Sequence, residues 1–397
     1  MPEATRRPLP GIIIKVVLME PEVLVVGAGP GGCATGRALA EAGLRVTVVE
    51  EHQRGHHKAC GEGVLATTFK SQGFEPGAPY VMGAVDRFSV TVHGSCVYDR
   101  RYPDVLGYTV DRSLFDAHMA HEAEAAGAKV EFGTSAGGFT ATDGVINRIA
   151  LRSSSGSTRT VRPKIVVGAD GVASRVGRTA GLAGPLPPSD LAICVQTVVH
   201  GPVDEGHSRI VLGDFAPGGY AWSFARGPRC ANVGVGVDTE NARDLRGYLD
   251  AFLGSQDDLS ACTKDELRFL PVPCGGLVPR LTGGNTVLVG DAARQNDPVS
   301  AGGILQAVDA GRMAAGTIVN AVSAEDLGLL EEYDRVWRKA HGGRYSFSMR
   351  LNKAVRRLPL RLLAPAAKAA FSMVKGDVFA IGHDDEERMS NALGRLG

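Results

Sequence analysis

Three glycines and one carboxylate carry the clearest chemistry in the chain. Gly27, Gly29 and Gly32 form a G-x-G-x-x-G motif that directly follows the apolar run VLVV. In a strand-to-helix turn, the first glycine permits the tight turn, the second lets the backbone approach a pyrophosphate, and the third lets the helix pack on the strand. Glu50, with Glu51 beside it, ends a second apolar run and can accept hydrogen bonds from ribose hydroxyls. Strand, glycines, helix, strand and acid in this order predict a dinucleotide site.

Two further apolar runs end in an acidic turn. The segment GADG contains Asp170, and the segment GDAA contains Asp291. Ligands of open α/β sheets bind at the carboxyl ends of strands, so both carboxylates are candidate contacts, and Asp291 can accept a sugar or ribityl hydroxyl. The alternative for either residue alone is a helix N-cap. Beyond Asp291, another predicted helix begins with backbone amides that can stabilise negative charge on a flavin ring, at Gly302, Gly303 and Ile304.

The order of these segments resembles that of FAD-dependent oxidoreductases with the p-hydroxybenzoate hydroxylase fold. The resemblance covers residues 23 to about 310. It implies that the bound cofactor is FAD, not NAD, and that GADG and GDAA help to hold its ribityl and pyrophosphate groups. Arg112 matches the family's arginine at a helix start near the flavin chain. The alternative for Arg112 is a surface salt bridge with Asp116, four positions along the same helix.

A glycine-punctuated loop narrows the branch of that fold family. The segment KACGEG at 58–63 resembles the K-x-C-G loop of the geranylgeranyl reductase family, in which the cysteine lies near the flavin ring. The resemblance implies that Cys60 and Gly61 lie beside the flavin. The alternative for Cys60 is a small, buried apolar side chain with no chemical role.

An aromatic strand indicates the same branch. The segment PGGYAWSF, followed by Asn-Val-Gly, resembles the family's P-x-x-Y-x-W-x-F-P motif and the strand after it. Tyr220, Trp222 and Phe224 alternate along this segment, so on a strand they share one face and can line a wall for an apolar substrate. Ordinary sheet packing is the alternative. The sequence departs from the motif at its last position, where Ala225 replaces the proline.

The resemblance implies a reductase, in which N5 of reduced FAD delivers hydride to a carbon–carbon double bond of an isoprenoid or another apolar substrate. Cys60, Tyr220 and Trp222 are then the candidate catalytic residues, and Cys60, Tyr220 or water is the candidate proton donor. Because the chain has one G-x-G-x-x-G motif, NAD(P)H or another external electron donor would reduce the flavin transiently. The alternative is a monooxygenase of the same fold that hydroxylates or epoxidises an aromatic or polyketide substrate. Halogenation and a non-enzymatic flavin carrier are more distant alternatives.

The predicted fold class is α/β. A Rossmann-type FAD-binding domain receives an inserted β-sheet substrate-binding domain and is followed by C-terminal helices. The predicted segments are an N-terminal extension at 1–18; an FAD-binding domain at 19–75, 108–185 and 280–325; a substrate-binding domain at 76–107 and 186–279; and a C-terminal helical region at 326–397.

Bulk properties restrict the partners. The 397 residues have a formal net charge of zero, so no overall field attracts nucleic acid. Seven scattered cysteines without a C-x-x-C pair predict no metal site and a reducing, cytoplasmic location. The segment 338–375 has ten Lys and Arg and no Asp or Glu, so it could rest on an anionic membrane beside a lipid substrate. The alternative is a set of solvated helices that cap the substrate domain; the oligomeric state is not predicted.

Overall fold

A computed structural model describes residues 20–373, and the predicted extension 1–18 and the last part of the predicted C-terminal region lie outside this range. The described chain forms twenty strands: β1 Val23–Val26, β2 Val46–Val49, β3 Gly63–Leu65, β4 Val81–Val85, β5 Arg87–Val92, β6 Ser95–Arg101, β7 Gly107–Val110, β8 Lys129–Glu131, β9 Thr134–Thr142, β10 Val145–Ser153, β11 Thr158–Val161, β12 Ile165–Gly168, β13 Leu191–His200, β14 His207–Leu212, β15 Tyr220–Ala225, β16 Cys230–Asp238, β17 Thr263–Lys264, β18 Arg268–Pro273, β19 Thr282–Gly283 and β20 Thr286–Leu288.

The helices complete the mixed architecture that the sequence predicts. The described α-helices are α1 Pro30–Glu41, α2 Ala66–Ser71, α3 Arg112–Ala125, α4 Arg175–Thr179, α5 Leu245–Gly254, α6 Asp257–Ser260, α7 Ile304–Ser323, α8 Glu332–Arg357 and α9 Leu360–Met373. Short 3₁₀ turns lie at Pro188–Asp190, Gly290–Ala292 and Leu327–Glu331.

The first sheet brings together the three strands that precede the G-x-G-x-x-G, GADG and GDAA segments. Its order is β19-β20-β12-β1-β2-β8, and every pair is parallel except β19–β20. The strands β1, β2, β12 and β20 are buried along their whole length, as expected for parallel strands that are covered on both faces. Since β1, β12 and β20 are neighbours, the turns that follow them leave from one edge of the sheet. The α/β, Rossmann-type prediction is confirmed.

Helices and a small sheet cover this first sheet. Helix α1 packs against α7 and α3, and the antiparallel sheet β11-β10-β9 contacts α4 and β2. Apolar side chains from the strands and from α1, α3 and α7 form one continuous core. This packing fixes the starts of α1 and α7 at the edge of the sheet where the turns after β1, β12 and β20 lie.

The second large sheet is built from two distant parts of the chain. Its order is β17-β13-β16-β15-β14-β5-β6, with β18 also paired to β13. The only parallel neighbours in it are β14 and β5, and this pairing joins the two segments that the sequence assigns to a substrate domain. A small sheet, β3-β7-β4, connects the two predicted domains, so the domain boundaries themselves stay a prediction.

The C-terminal helices pack against α7 and against the second sheet. Helix α8 contacts α7, and α9 lies against β5 and β6, where Leu363 meets Val92 and Val97 in a small apolar cluster. Within residues 20–373, no helix has the length and hydropathy needed to cross a membrane.

Candidate active site

The glycine motif has the geometry of a pyrophosphate turn. Gly27 has a φ of +103°, and a Cβ there would lie 2.3 Å from the Ala169 carbonyl oxygen. A Cβ at Gly32 would lie 1.9 Å from the carbonyl oxygen of Gly27, so the fold itself requires both glycines. Gly29 differs, because a Cβ there would meet no protein atom within 4 Å. Gly29 is also the N-cap of α1, so the space in front of it suits a phosphate facing the helix amides.

The glycine motif fixes the orientation of the Glu50 carboxylate. Its carboxylate accepts hydrogen bonds from the Ala28 amide at 2.9 Å and from the His52 amide at 3.0 Å. Burial alone would raise the pKa of Glu50, but these amide bonds outweigh it and hold the pKa below its ordinary value. Glu50 is therefore an anion at the position where ribose hydroxyls would bind. The neighbouring Glu51 is exposed, and its predicted cofactor contact has no support from a fixed geometry.

Asp170 supports the N-terminus of α4, although the N-cap residue itself is Ser174. Its carboxylate accepts from the Ser174 hydroxyl at 2.6 Å and from the amides of Arg175 and Val176 at 2.7 and 3.0 Å. These bonds hold the turn between β12 and α4. A direct contact between Asp170 and a cofactor stays a prediction.

Asp291 and the start of α7 form the opposite end of the candidate cofactor site. The Asp291 carboxylate lies 3.5 Å from Lys58 Nζ and remains about one third exposed (32%). Gly303, the N-cap of α7, brings no side chain to the first turn, and a Cβ there would lie 3.6 Å from Asp291. Two helix starts, one at Gly29 and one at Gly303, with a carboxylate near each, fit the two polar ends of FAD.

The Cys60 loop packs on a buried arginine. Arg112 is 4% exposed and forms two hydrogen bonds with the Asp116 carboxylate, at 2.9 and 2.7 Å. The Arg112–Asp116 pair of the alternative therefore exists, but Arg112 is buried and not on the surface, and its contact with the cofactor stays a prediction. Burial alone would lower the pKa of Arg112, whereas Asp116 and the Cys60 thiol beside it raise that pKa. A permanent positive charge thus lies next to Cys60, whose Sγ accepts from the Glu62 amide at 3.3 Å.

The aromatic strand β15 lies directly against that loop. A Cβ at Gly61 or Gly63 would lie 3.3 Å from the Phe224 ring, so the loop glycines and the ring are in close contact. The rings of Tyr220 and Trp222 are 6.3 Å apart at 67°. As the alternation predicts, the three aromatic side chains share one face, and this face is turned towards the Cys60 loop.

The first residue of β15, Tyr220, contacts the loop that precedes α7. The Tyr220 hydroxyl donates to the Ser300 carbonyl at 2.6 Å, and burial raises the pKa of Tyr220, so its phenol stays protonated. Asp297 shapes this loop by accepting from the Val299 and Ser300 amides and from the Ser348 hydroxyl of α8. The aromatic strand is therefore in contact with both loops that the sequence predicts to lie beside the flavin ring.

Asn232 is a site residue that sequence reasoning missed. It is fully buried, its Oδ1 accepts from Trp222 Nε1 at 2.9 Å, and its Nδ2 donates to the Cys60 carbonyl at 2.9 Å. Gly234 leaves room for the same indole, because a Cβ there would lie 2.2 Å from the Trp222 ring. The signal was present in the Asn-Val-Gly segment, since a buried amide inside a strand requires partners for both of its ends.

Helix α8 supports the GDAA turn from behind. Gln295 accepts from the Gly290 amide and donates to the Tyr333 hydroxyl, each at 2.8 Å, and Tyr333 is fully buried. The Tyr345 hydroxyl donates to the Arg294 carbonyl at 2.9 Å. No short motif announces these contacts, because they join residues that are far apart in the sequence.

Comparison with known proteins agrees with this geometry. The FAD binding domain model matches residues 20–198, and the geranylgeranyl reductase catalytic domain model matches residues 190–267. The second match contains β15 and Asn232. A digeranylgeranylglycerophospholipid reductase from Methanothrix thermoacetophila is 35% identical over 348 residues, which is 82% of this chain and 84% of that protein.

Solved structures give the same result. A geranylgeranyl bacteriochlorophyll reductase-like protein from Thermoplasma acidophilum has a TM-score of 0.86 and 26% identity, and covers 95% of this chain and 98% of its own. A flavin-dependent brominase, with a TM-score of 0.73 and 17% identity over 95% of this chain and 94% of its own, shares the fold alone. This chain is an FAD-dependent oxidoreductase that belongs to the geranylgeranyl reductase family.

Proposed function

We propose that this enzyme reduces carbon–carbon double bonds in the isoprenoid chains of a lipid, the substrate class named for its archaeal relatives. The observation that carries the proposal is the link from Trp222 through Asn232 to Cys60. Through this link, the family's aromatic strand and its flavin loop form one unit. A wall of aromatic side chains suits an apolar chain and excludes water from the reacting atoms.

The roles of the residues follow from their positions. When bound, FAD supplies the hydride at N5. We assign the adenosine and pyrophosphate end to four residues: Gly27, Gly29, Gly32 and Glu50. We assign the flavin end to residues of the Cys60 loop, the start of α3, the GDAA turn and the start of α7: Cys60, Gly61, Arg112, Asp291, Gly302, Gly303 and Ile304. Tyr220, Trp222 and Phe224 hold the substrate.

Product mass tests the proposal. The FAD-loaded enzyme is reduced without oxygen and incubated with a lipid that carries geranylgeranyl chains. A product heavier by two hydrogen atoms for each double bond supports the reductase. A product heavier by one oxygen atom, formed only in air, would establish the monooxygenase alternative instead.

The electron donor remains a proposal as well. We infer that NAD(P)H or another external donor reduces the flavin by a transient visit. Anaerobic bleaching of the flavin absorbance by NADPH, compared with NADH and dithionite, identifies the donor. If dithionite alone reduces the flavin, a separate electron-carrier protein is required.

Contact with an anionic membrane is the last element of the proposal. Leu362 is 53% exposed on α9, in the basic segment 338–375, while its neighbour Leu363 is buried against the second sheet. The buried side supports the capping alternative, and the exposed side leaves an apolar residue between cations. Flotation with anionic vesicles tests the contact, and Leu362→Glu should reduce it. Equal flotation with neutral vesicles would remove the anionic charge from the proposal, and no flotation at all would remove the membrane.

A further inference from the structure

Behind the Cys60 loop lies a group of buried charged side chains, which we name the Glu62 cluster: His57, Glu62, Asp111 and Arg226. The Glu62 side chain is completely buried and accepts from Arg226 Nε at 2.9 Å. The other end of the same guanidinium bonds the Asp111 carboxylate. His57 Nε2 lies 3.6 Å from Glu62 Oε1, and His57 Nδ1 lies 4.0 Å from Asp111 Oδ1.

A metal ion is a poor occupant of this cluster. His57, Glu62 and Asp111 offer ligand atoms that lie within 4.8 Å of one another, which is close enough to consider a cation. The guanidinium of Arg226, however, already bonds both carboxylates. Its positive charge takes the role that a cation would have, so the mobile charge of the cluster is a proton.

Two atoms of the cluster can bind that proton. Among residues 20–373, Glu62 Oε1 and His57 Nε2 are both buried and have no hydrogen-bond partner. Buried polar atoms are nearly always bonded, so each such pair calls for an explanation. An ionised Glu62 facing the unprotonated nitrogen of His57 is a pair of acceptors. One proton on either atom makes them a donor and an acceptor.

The surroundings favour neutral forms of both residues. Burial raises the pKa of Glu62, with Asp111 acting in the same direction and with Arg226 and the Asn232 amide acting against them. Burial also lowers the pKa of His57; its charged neighbours Arg268, Arg226 and Arg112 add to that effect, and Asp111 opposes it. The two residues therefore compete for one proton, and they lose it as the pH rises.

We propose that Glu62 and His57 hold and pass on the proton that double-bond reduction consumes, a proposal that rests on the function given above. In the reduction, the hydride brings both electrons to one carbon, the π bond breaks, and the other carbon takes the proton. The flavin is oxidised and the alkene is reduced. Glu62 is left as a carboxylate beside Arg226, and His57, which is 19% exposed, takes a proton from water to restore it.

The position of the cluster gives the proton a short way to the site. The Glu62 amide donates to Cys60 Sγ, and Asn232 contacts the Cys60 carbonyl and the Trp222 indole. Glu62 and His57 thus lie immediately behind the loop and the wall. The amide hydrogen bonds themselves carry no proton, so the two residues act through the Cys60 thiol, which gives its proton to the carbon and takes one back from Glu62. They are positioning residues for the proton, distinct from the catalytic candidates that face the substrate.

A first experiment measures the shared proton without turnover. The imidazole NMR signals of His57 are titrated in the oxidised, FAD-loaded protein, in the wild type and in Glu62→Gln. If the proton is shared, removal of the carboxylate moves the His57 titration to lower pH, and Glu62→Asp restores part of the shift. An unchanged titration of His57 in Glu62→Gln would overturn the proposal. This measurement needs no substrate, so it is decisive even if the wild-type protein reduces nothing.

A second experiment measures use of the proton. Reoxidation of the reduced flavin by substrate is followed by absorbance, without oxygen and across pH. We expect the wild-type rate to fall as pH rises, and we expect Glu62→Gln to be about a hundredfold slower, which is a usual contribution of general acid catalysis. The matched control is Asp99→Asn, which removes a carboxylate paired with Arg87 far from the loop. If Glu62→Gln does not fold, His57→Gln on its half-buried side chain replaces it. A wild-type pH profile in these variants would overturn the proposal.

Discussion

The two ends of the candidate cofactor site are built in different ways. The adenosine end consists of a backbone turn, with Gly27 and Gly32 packed against carbonyl oxygens and Glu50 fixed by the Ala28 amide. The flavin end consists of side chains from distant segments, such as the bonds of Asn232 to Trp222 and to Cys60. Backbone geometry leaves a short motif in the sequence, whereas a side-chain network leaves scattered single residues. The first end therefore specifies the cofactor, and the second end adapts the site to a reaction.

The largest expected effect tests whether the backbone turn of the adenosine end can shift to accept a larger residue. In Gly32→Ala, the new Cβ meets the Gly27 carbonyl at 1.9 Å, and we expect a loss of about 3 kcal/mol or more in the free energy of unfolding. Denaturant unfolding of the FAD-free protein measures this loss without a contribution from ligand binding.

The matched control is Gly29→Ala. Gly29 has a φ of −71°, which alanine adopts, and its Cβ would meet nothing within 4 Å. We expect an unchanged free energy of unfolding and weaker FAD binding. Equal stability of both variants would contradict the view that this end is fixed by the backbone.

The next effect tests the side-chain network of the flavin end. Asn232→Ala leaves the Trp222 indole and the Cys60 carbonyl buried without their partner, at a cost of about 2 kcal/mol in the free energy of unfolding. We expect FAD to remain bound and turnover to fall, because the adenosine end is untouched. Asn147→Ala, at an exposed position, is the control and should change stability by less than about 0.5 kcal/mol. Loss of FAD from Asn232→Ala would show that the two ends are not independent.

Glu50→Gln sharpens the comparison at the adenosine end. We expect FAD affinity to fall about tenfold, since a charged acceptor of hydrogen bonds is worth roughly 1.5 kcal/mol, and we expect Glu51→Gln to have no such effect. The folded pKa of Glu50 lies below its ordinary value of 4.5, so its contribution to stability is present above about pH 4.5 and is lost as pH falls through the lowered pKa. The stability difference between wild type and Glu50→Gln should therefore shrink in acid. Equal loss of FAD from both variants would remove the assignment of Glu50.

The smallest expected effect concerns Asp291. Asp291→Ala should weaken FAD retention by about 1 kcal/mol, because one carboxylate contact is lost at a partly exposed position. Lys58→Ala is the control, since it breaks the ion pair and leaves the carboxylate in place. A full yellow complement in purified Asp291→Ala would contradict its assignment to the cofactor.

The parts that sequence reasoning predicts are those in which neighbours along the chain are also neighbours in space. The strands β1, β12 and β20 are apolar because they are buried on both faces, so their runs are readable. The alternation of Tyr220, Trp222 and Phe224 likewise gives their common face. The family and its cofactor follow from such local patterns.

The remaining features depend on long-range contacts. By its sequence, Asp170 could be a ligand contact or an N-cap, and only the fold shows that it supports the Arg175 and Val176 amides while Ser174 is the N-cap of α4. The spacing of Arg112 and Asp116 gives their ion pair but not its burial, because burial depends on the Cys60 loop that covers it. Glu62 belongs to the KACGEG loop, but nothing in the local sequence indicates that it is buried against Arg226, which comes from the distant segment 186–279.

The parallel pairing of β14 with β5 has a consequence for synthesis of the chain. The hairpin β5–β6 leaves the ribosome with an unpaired edge until β14 is made, and β12 likewise has one unpaired edge until β20 is made. At about 5–20 residues per second, the interval between β12 and β20 lasts on the order of ten seconds. During this time an apolar edge is open to wrong partners. The nascent enzyme is therefore expected to need chaperone protection until β20 has been made, and the soluble yield of translation in vitro with and without a chaperone would measure this need.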